Sequence, residues 1–567
     1  MKVSKYNIQL SLFYVTLTIL IANKMYSFPS SLSALKIFET DGVFTQAQIQ
    51  SFIDGAILGS TNHLGFPFGY SHWLSPQFSV LEAILIWFIG NTTSITNYGI
   101  ISIIGLATLI LNLSSMHFLG SVLSKNRLTA LTFGIVGLTT PFALNSLMHP
   151  HVMKIFLIPI ILVFLIKLVN KDRIRRRFTF ILILSILGSS LFWINVMLAI
   201  FLILIFIQFL DVMIRNSKKD FLINYIKVGS YIFLGFITNT ILYYYNSKLL
   251  GDRDRLAWQS DLFSGKFTDV LLGSPFLNRF VNQLKDVVPG SSPETWAMML
   301  GIPLMITFAI GVYFSISFVS FNSGNELALA LKQISIVSIL FFVLGGLSNL
   351  QASFFVLIGS ASPMRTWSRL SILVAILGLT LLYLTLNSRE NKTRIVSASL
   401  VFLAFVDLLA ISKLFESKSN WSEQEIFKAT TFIKSELKPC PILQIPIDTY
   451  LVPQSAQDQG YRYYWSGLVP YVVLPDFKWT AATYTNSTGW KQLEKLPTSF
   501  TDETFAEISK TYCAILFDKN FSQYQIDRKA GLKSTQGLWP GLQIDSKMKP
   551  QFEDTRFSVY LLNSVTS

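Results

Sequence analysis

Phe38-Glu39-Thr40-Asp41-Gly42 opens a polar, aromatic segment, residues 29–97, directly behind an apolar run from about Ile8 to Met25. The run is the length of a membrane-crossing helix, which needs roughly 20 apolar residues. A carboxylate pair two residues apart therefore stands just beyond the first crossing, with Gly42 giving the backbone freedom to turn. A helix buried in lipid does no chemistry on a wet substrate, whereas an acidic turn at the membrane surface can.

Outward from that turn, the chain is mostly apolar. Of 567 residues, 51% are hydrophobic and 14% charged, with a mean hydropathy of +0.48. Soluble domains carry roughly 25% charged residues, so lipid replaces water around much of this surface. The net charge of +14 does not indicate nucleic acid. Its basic residues stand in short runs between apolar stretches, at 171–177, 215–219 and 389–394, the pattern of cytoplasmic loops. The N-terminal run reads as a retained span, because it is long for a signal peptide and no clean small-residue cleavage site follows.

Spans are expected at about 7–27, 98–121, 128–147, 152–170, 178–193, 195–214, 221–244, 296–319, 327–347, 368–387 and 395–413. The short run 78–89 carries Glu82. If it does not cross, the basic clusters, including Lys125-Asn126-Arg127, fall on one side, so it reads as an interfacial helix. The expectation is a polytopic α-helical membrane protein with about eleven spans in residues 1–413, N-terminus cytoplasmic. Residues 414–567 then form an extracytoplasmic α/β domain, with a helix over 421–437 and buried strands at Pro441-Ile442-Leu443-Gln444-Ile445-Pro446 and Ala514-Ile515-Leu516-Phe517. The two cysteines, Cys440 and Cys513, are too few for a disulfide scaffold or zinc site. In an exported domain they suit one structural disulfide.

The external pieces hold the chemistry. Asp41 reads either as a helix N-cap or as a functional carboxylate, with Glu39 beside it. A helix over 44–55, with Ile49, Phe52 and Ile53 on one face, would lie on the membrane and hold the turn. Of five histidines, His63, His72, His149 and His151 fall in the first two external loops. With the carboxylates they could share a divalent cation, magnesium or manganese; equally, they could bind acceptor hydroxyls or phosphate. Loop 246–295 carries Asp252-Arg253-Asp254-Arg255, a solvated charge run or a contact for phosphate. Arg365 and Arg369 lie on the external side against the positive-inside trend, where they would anchor on headgroups or pair bidentately with a lipid-linked phosphate. The aromatics at 461–465 and 479–490 suit either a domain core or stacking on sugar rings.

Taken together, Glu39-Thr40-Asp41-Gly42 behind the first span, the interfacial helix at 78–89, the polar end of the third span at His149, and Arg365 and Arg369 resemble the GT-C superfamily of polytopic glycosyltransferases. Asp41-Gly42 through Pro67-Phe68-Gly69, with the strings starting at Cys440 and Tyr512, looks like large bacterial members with an exported C-terminal domain. The resemblance implies inverting transfer of a sugar from a polyprenyl-phosphate donor to a glycan or protein acceptor at the plasma membrane. Asp41 would be the base or a metal ligand, with Glu39 as helper. Arg365 or Arg369 would contact the lipid phosphate, with Arg253 and Arg255 as further candidates. His149 and His151 stand where members often carry a second acidic residue. The rival readings are a transporter or flippase for lipid-linked glycans and a non-catalytic envelope protein. Against a transporter stand the few mid-span charges, Asp407 and Lys332 among them, and the lack of an internal repeat.

Overall fold

The computed structural model describes residues 5–33, 41–67, 69–71, 77–144, 153–169, 300–317, 331–336, 371–386, 389–414, 423–445, 468–480, 499–518 and 549–562, with scattered positions at 223–246, 328, 338–339 and 543–544. In chain order the membrane part contains α1 (Lys5–Tyr26), α2 (Asp41–Ile53), α3 (Val80–Thr92), α4 (Asn97–Leu123), α5 (Arg127–Thr139), α6 (Pro141–Leu144), α7 (Leu157–Val169), α8 (Gly301–Ile316), α9 (Ser371–Leu386) and α10 (Glu390–Leu414). Among the described residues, Asn97–Leu123, Arg127–Leu144 and Glu390–Ala410 are long and apolar enough to cross a membrane. The spans expected at 178–193 and 195–214 lie outside the described residues. The span expected at 128–147 is interrupted between α5 and α6, because Pro141 follows Thr140 and cannot donate to the helical ladder.

Side-chain contacts fix how these helices run. Tyr98 at the start of α4 donates to the Tyr26 carbonyl at the end of α1 (2.7 Å). At the other end, Tyr14 Oη and His117 Nδ1 are 2.8 Å apart. Thus α1 and α4 are antiparallel. Asn112 donates to the Met153 carbonyl (2.8 Å), whereas Lys167 lies over the Phe118 ring, so α7 runs with α4. Thr132 contacts the Ser397 carbonyl near the starts of α5 and α10. Near their ends, Asp407 of α10 accepts from the Ile302 amide, and Thr140 donates to the Leu300 carbonyl. Tyr383, toward the end of α9, is 2.7 Å from Ser397. It follows that Tyr26, Asn97, Leu144, Met153, Gly301, Ser371 and the end of α10 share one face of the bundle, hereafter the loop face. The basic positions Lys125, Arg127, Arg389 and Arg394 share the opposite face.

Two features meet the demand that buried polar groups be partnered where water is scarce. Asp407 caps the N-terminus of α8 from a neighbouring helix, and Gly301 takes φ +76° there, where a Cβ would meet the Asp407 carboxylate at 2.7 Å. Near the loop face, Glu82 forms a capping box with Ser79 at the start of α3. Its Oε2 accepts from the Ser79 amide (2.7 Å), the Ser79 hydroxyl (2.9 Å) and Lys154 Nζ (2.5 Å). Both members of this ion pair are buried. The rest of α3 divides in two: Ala83 and Ile86 enter the bundle core, while Ile84, Leu85, Trp87 and Phe88 stay exposed, as suits a helix set into a membrane interface.

Beyond α10, the chain forms α11 (Glu423–Glu436), β1 (Pro441–Ile445), α12 (Val469–Val473), β2 (Lys478–Trp479), β3 (Ser499–Phe500), α13 (Asp502–Ile508), β4 (Ala514–Asp518), β5 (Gln543–Ile544), β6 (Phe552–Glu553) and β7 (Phe557–Leu561). Five strands make one sheet in the order β2-β1-β4-β7-β6, parallel across β2-β1-β4 and antiparallel across β4-β7-β6. Strands β3 and β5 form a separate parallel pair. Alternation places Ile442, Ala514, Leu516 and Val559 on one face, and Leu443, Ile515 and Tyr560 on the other. Both faces are covered.

Breaking the buried ion pair singly should leave one charge without its partner. Lys154→Met is expected to cost about 3–5 kcal/mol, and Glu82→Gln combined with Lys154→Met to recover much of it. Thermal unfolding of wild type and the two purified variants in detergent checks this; equal losses in the single and double variants would contradict it.

Candidate functional site at the loop face

The sheet does not end at β2. Residues 63–66 of the first loop run alongside it: Leu64 pairs in parallel with Trp479, whose amide donates to the His63 carbonyl (2.8 Å) and whose carbonyl accepts from the Phe66 amide (3.0 Å). His63 Nδ1 lies 2.8 Å from the Pro475 carbonyl. The loop turns back through a Thr61–Tyr70 bridge. Gly65, at φ +69°, is required there, since a Cβ would stand 2.7 Å from the Gly69 carbonyl oxygen. A segment more than 400 residues from Trp479 thus covers the edge of the tail's sheet, where unpaired N–H and C=O groups would otherwise remain.

Helix α2 lies between the two halves of the molecule. Val43, Phe44 and Ala47 are buried in the core of the C-terminal domain with Ile426, Leu468, Tyr471 and Trp479. Ile49 and Phe52 are buried in the bundle core with Tyr26, Phe78 and Tyr98. The expectation of a helix with one apolar face on the membrane is corrected here: both sides of α2 are covered, because the tail supplies a second apolar surface. Its polar side chains are tied down as well. Gln48 Oε1 accepts from the Gln77 amide (3.0 Å), and Gln50 Oε1 from Asn97 Nδ2 (2.9 Å). Gln50 also donates to Asp54 (2.9 Å), whose second oxygen accepts from Tyr471 Oη of the tail (2.6 Å). Burial pushes the Tyr471 phenol well above its ordinary value, and the Asp54 charge pushes it the same way, so it stays a donor. Burial also raises the Asp54 carboxyl, against hydrogen bonds from Tyr471 and Gln50 that lower it; much of that residue is open to solvent, which screens the shift.

Of the sequence-predicted residues, Asp41 is the first residue of α2, where the helix dipole favours negative charge. Glu39, His72, His149, His151, Arg253, Arg255, Arg365 and Arg369 lie outside the described residues. Their flanks nevertheless converge. Leu144 and Met153, on either side of His149 and His151, pack in one core with Phe52 and Phe78. Asn246 donates to the Leu58 carbonyl (3.4 Å) of the first loop. Ser371, two residues beyond Arg369, opens α9 at the loop face. Among the described residues no cluster of three or more histidine, cysteine or carboxylate side chains forms a metal site. Cys440 and Cys513 are joined by a disulfide between the starts of β1 and β4. Trp479 is fully buried core, so that aromatic does not stack on a sugar. Sequence reading missed Asp54, Lys154 and Tyr471. Only the shortage of charged residues near the spans could have singled out Lys154.

No protein-family model and no curated protein matches this sequence. Solved structures do. The apo oligosaccharyltransferase of Archaeoglobus fulgidus is similar over 91% of this chain and 70% of its own, with a TM-score of 0.52 and 12% identity. The same enzyme in complex with Zn and sulfate gives 0.51 and 11% over 90% and 69%. A variant of the arabinofuranosyltransferase AftD from Mycobacteria gives 0.52 and 11% over 100% of this chain and 42% of that one. At such identities the likeness is one of fold, shared with this oligosaccharyltransferase and this arabinofuranosyltransferase.

The disulfide closes a separation of 73 residues within the tail. Replacing both cysteines by serine is expected to remove about 2–5 kcal/mol of the tail's stability. Limited proteolysis followed through residues 423–562 reads this out, and an unchanged protection pattern would contradict it.

Proposed function

We propose that the chain is an integral membrane glycosyltransferase. It transfers a sugar from a polyprenyl-phosphate donor to an extracytoplasmic glycan or protein acceptor during cell-envelope glycan or glycoconjugate assembly. One observation carries the reading: the first loop, Leu144 and Met153 on either side of the histidines, and Asn246 ahead of Arg253 pack together at the loop face, next to the tail. The basic positions on the opposite face support a cytoplasmic assignment for that face, with the N-terminus inside and the C-terminal domain outside.

In this reading Asp41, aided by Glu39, takes the proton of the acceptor hydroxyl. The freed oxygen attacks the anomeric carbon, the bond from that carbon to the phosphate oxygen breaks, and polyprenyl phosphate leaves with inversion. Arg365 and Arg369 stabilise the negative charge gathering on the departing phosphate, where electrostatic help counts most, with Arg253 and Arg255 as further cations. His72, His149 and His151 orient the acceptor or join the carboxylates around a divalent cation. Imidazole and carboxylate groups suit such an ion, which would polarise phosphate oxygens when bound.

Purified wild type incubated with a radiolabelled polyprenyl-phosphate sugar and membrane extract should form labelled product, with Asp41→Asn about 10²- to 10⁴-fold slower. Wild-type rates in Asp41→Asn would remove the base from this account. Movement of the lipid across a vesicle without product would indicate a flippase. A chelator added to the same assay tests the cation.

A further inference from the structure

Resting on that reading, we propose that the C-terminal domain is a positioning element for transfer: it holds the helix that begins at Asp41, with Tyr471 as the positioning residue at the helix's far end. The domain grips α2 at three places. Val43, Phe44 and Ala47, within two turns of Asp41, are part of the tail's own core. Past the C-terminus of α2, Asp54 accepts from Tyr471. Ten residues further, the chain is the outermost strand beside β2.

The bundle alone would hold α2 by its other side, through Ile49 and Phe52 and the hydrogen bond to Asn97. Those contacts lie in the second half of the helix. The half that begins with Asp41 has its apolar side chains in the tail. Any loosening of the tail therefore frees the start of α2 before it frees the bundle. Because displacement of a reacting group by about 1 Å can cost about 10²-fold in rate, small shifts there matter.

Tyr471→Phe removes one hydroxyl from the grip without opening a cavity. In full-length protein, amide hydrogen exchange of residues 42–51 should quicken about five-fold in Tyr471→Phe, as for one lost hydrogen bond. Exchange across 97–123 should stay unchanged. In the transfer assay, Tyr471→Phe should lower kcat by a similar factor at unchanged KM for the lipid donor. Unchanged exchange over 42–51 would overturn the grip. Faster exchange with wild-type kcat would show the tail to be a cover and overturn its positioning role. Faster exchange in Tyr471→Phe, with a wild-type chain that makes no product from any polyprenyl-phosphate sugar, would leave the grip standing and remove the transferase reading.

Discussion

The core shared by α2, the first loop and the C-terminal domain is the constraint on which the remaining arrangement depends. Val43, Phe44, Ala47, Leu64 and Tyr70 belong to the same buried cluster as Ile442, Leu516 and Trp479. Burying large side chains of this kind contributes about 1.5–3 kcal/mol each, which outweighs a lone surface hydrogen bond. A tail joined to the bundle only through α10 would be free to swing. Here a loop from the start of the chain completes its sheet and fills its core, so loop and tail occupy the same side of the membrane.

That constraint combines with the helix directions. The described residues Tyr26, Leu144, Met153, Asn246, Gly301 and Ser371, which border the loops carrying the candidate residues, lie at one face, and Lys125, Arg127, Arg389 and Arg394 sit at the other. Between the faces, Asp407 caps α8, and Glu82 meets Lys154 beside Ser79. Outward-facing Leu12, Leu20, Phe402 and Leu409 remain exposed on the bundle, as lipid-facing side chains should. The fold thus sets α2 between the bundle, with α3 beside it, and the tail.

Local features were legible in the sequence, and long-range pairings were not. The apolar runs announced α1, α4 and α10, and the strings at Pro441 and Ala514 announced β1 and β4, because length and period alone identify such elements. Pro141 could have signalled the break after α5. The pairing of Glu82 with Lys154, 72 residues apart, depends on how α3 meets the start of α7, which no local pattern encodes. Tyr471 and Asp54, 417 residues apart, are further still from local inference. The acidic turn was legible as chemistry, whereas its helix was expected to have an open outer face. That face is covered by apolar surface contributed from the other end of the chain.

Placement of the first loop and the tail on one outer face is tested most directly by labelling single cysteines introduced as Leu58→Cys and Lys510→Cys, both at exposed positions. The two native cysteines are bonded to each other and give no background. With an impermeant thiol reagent on intact cells, the account predicts labelling at both positions. Labelling at one without the other would contradict the shared core, and labelling at both only after lysis would put the face, and the chemistry assigned to it, on the cytoplasmic side.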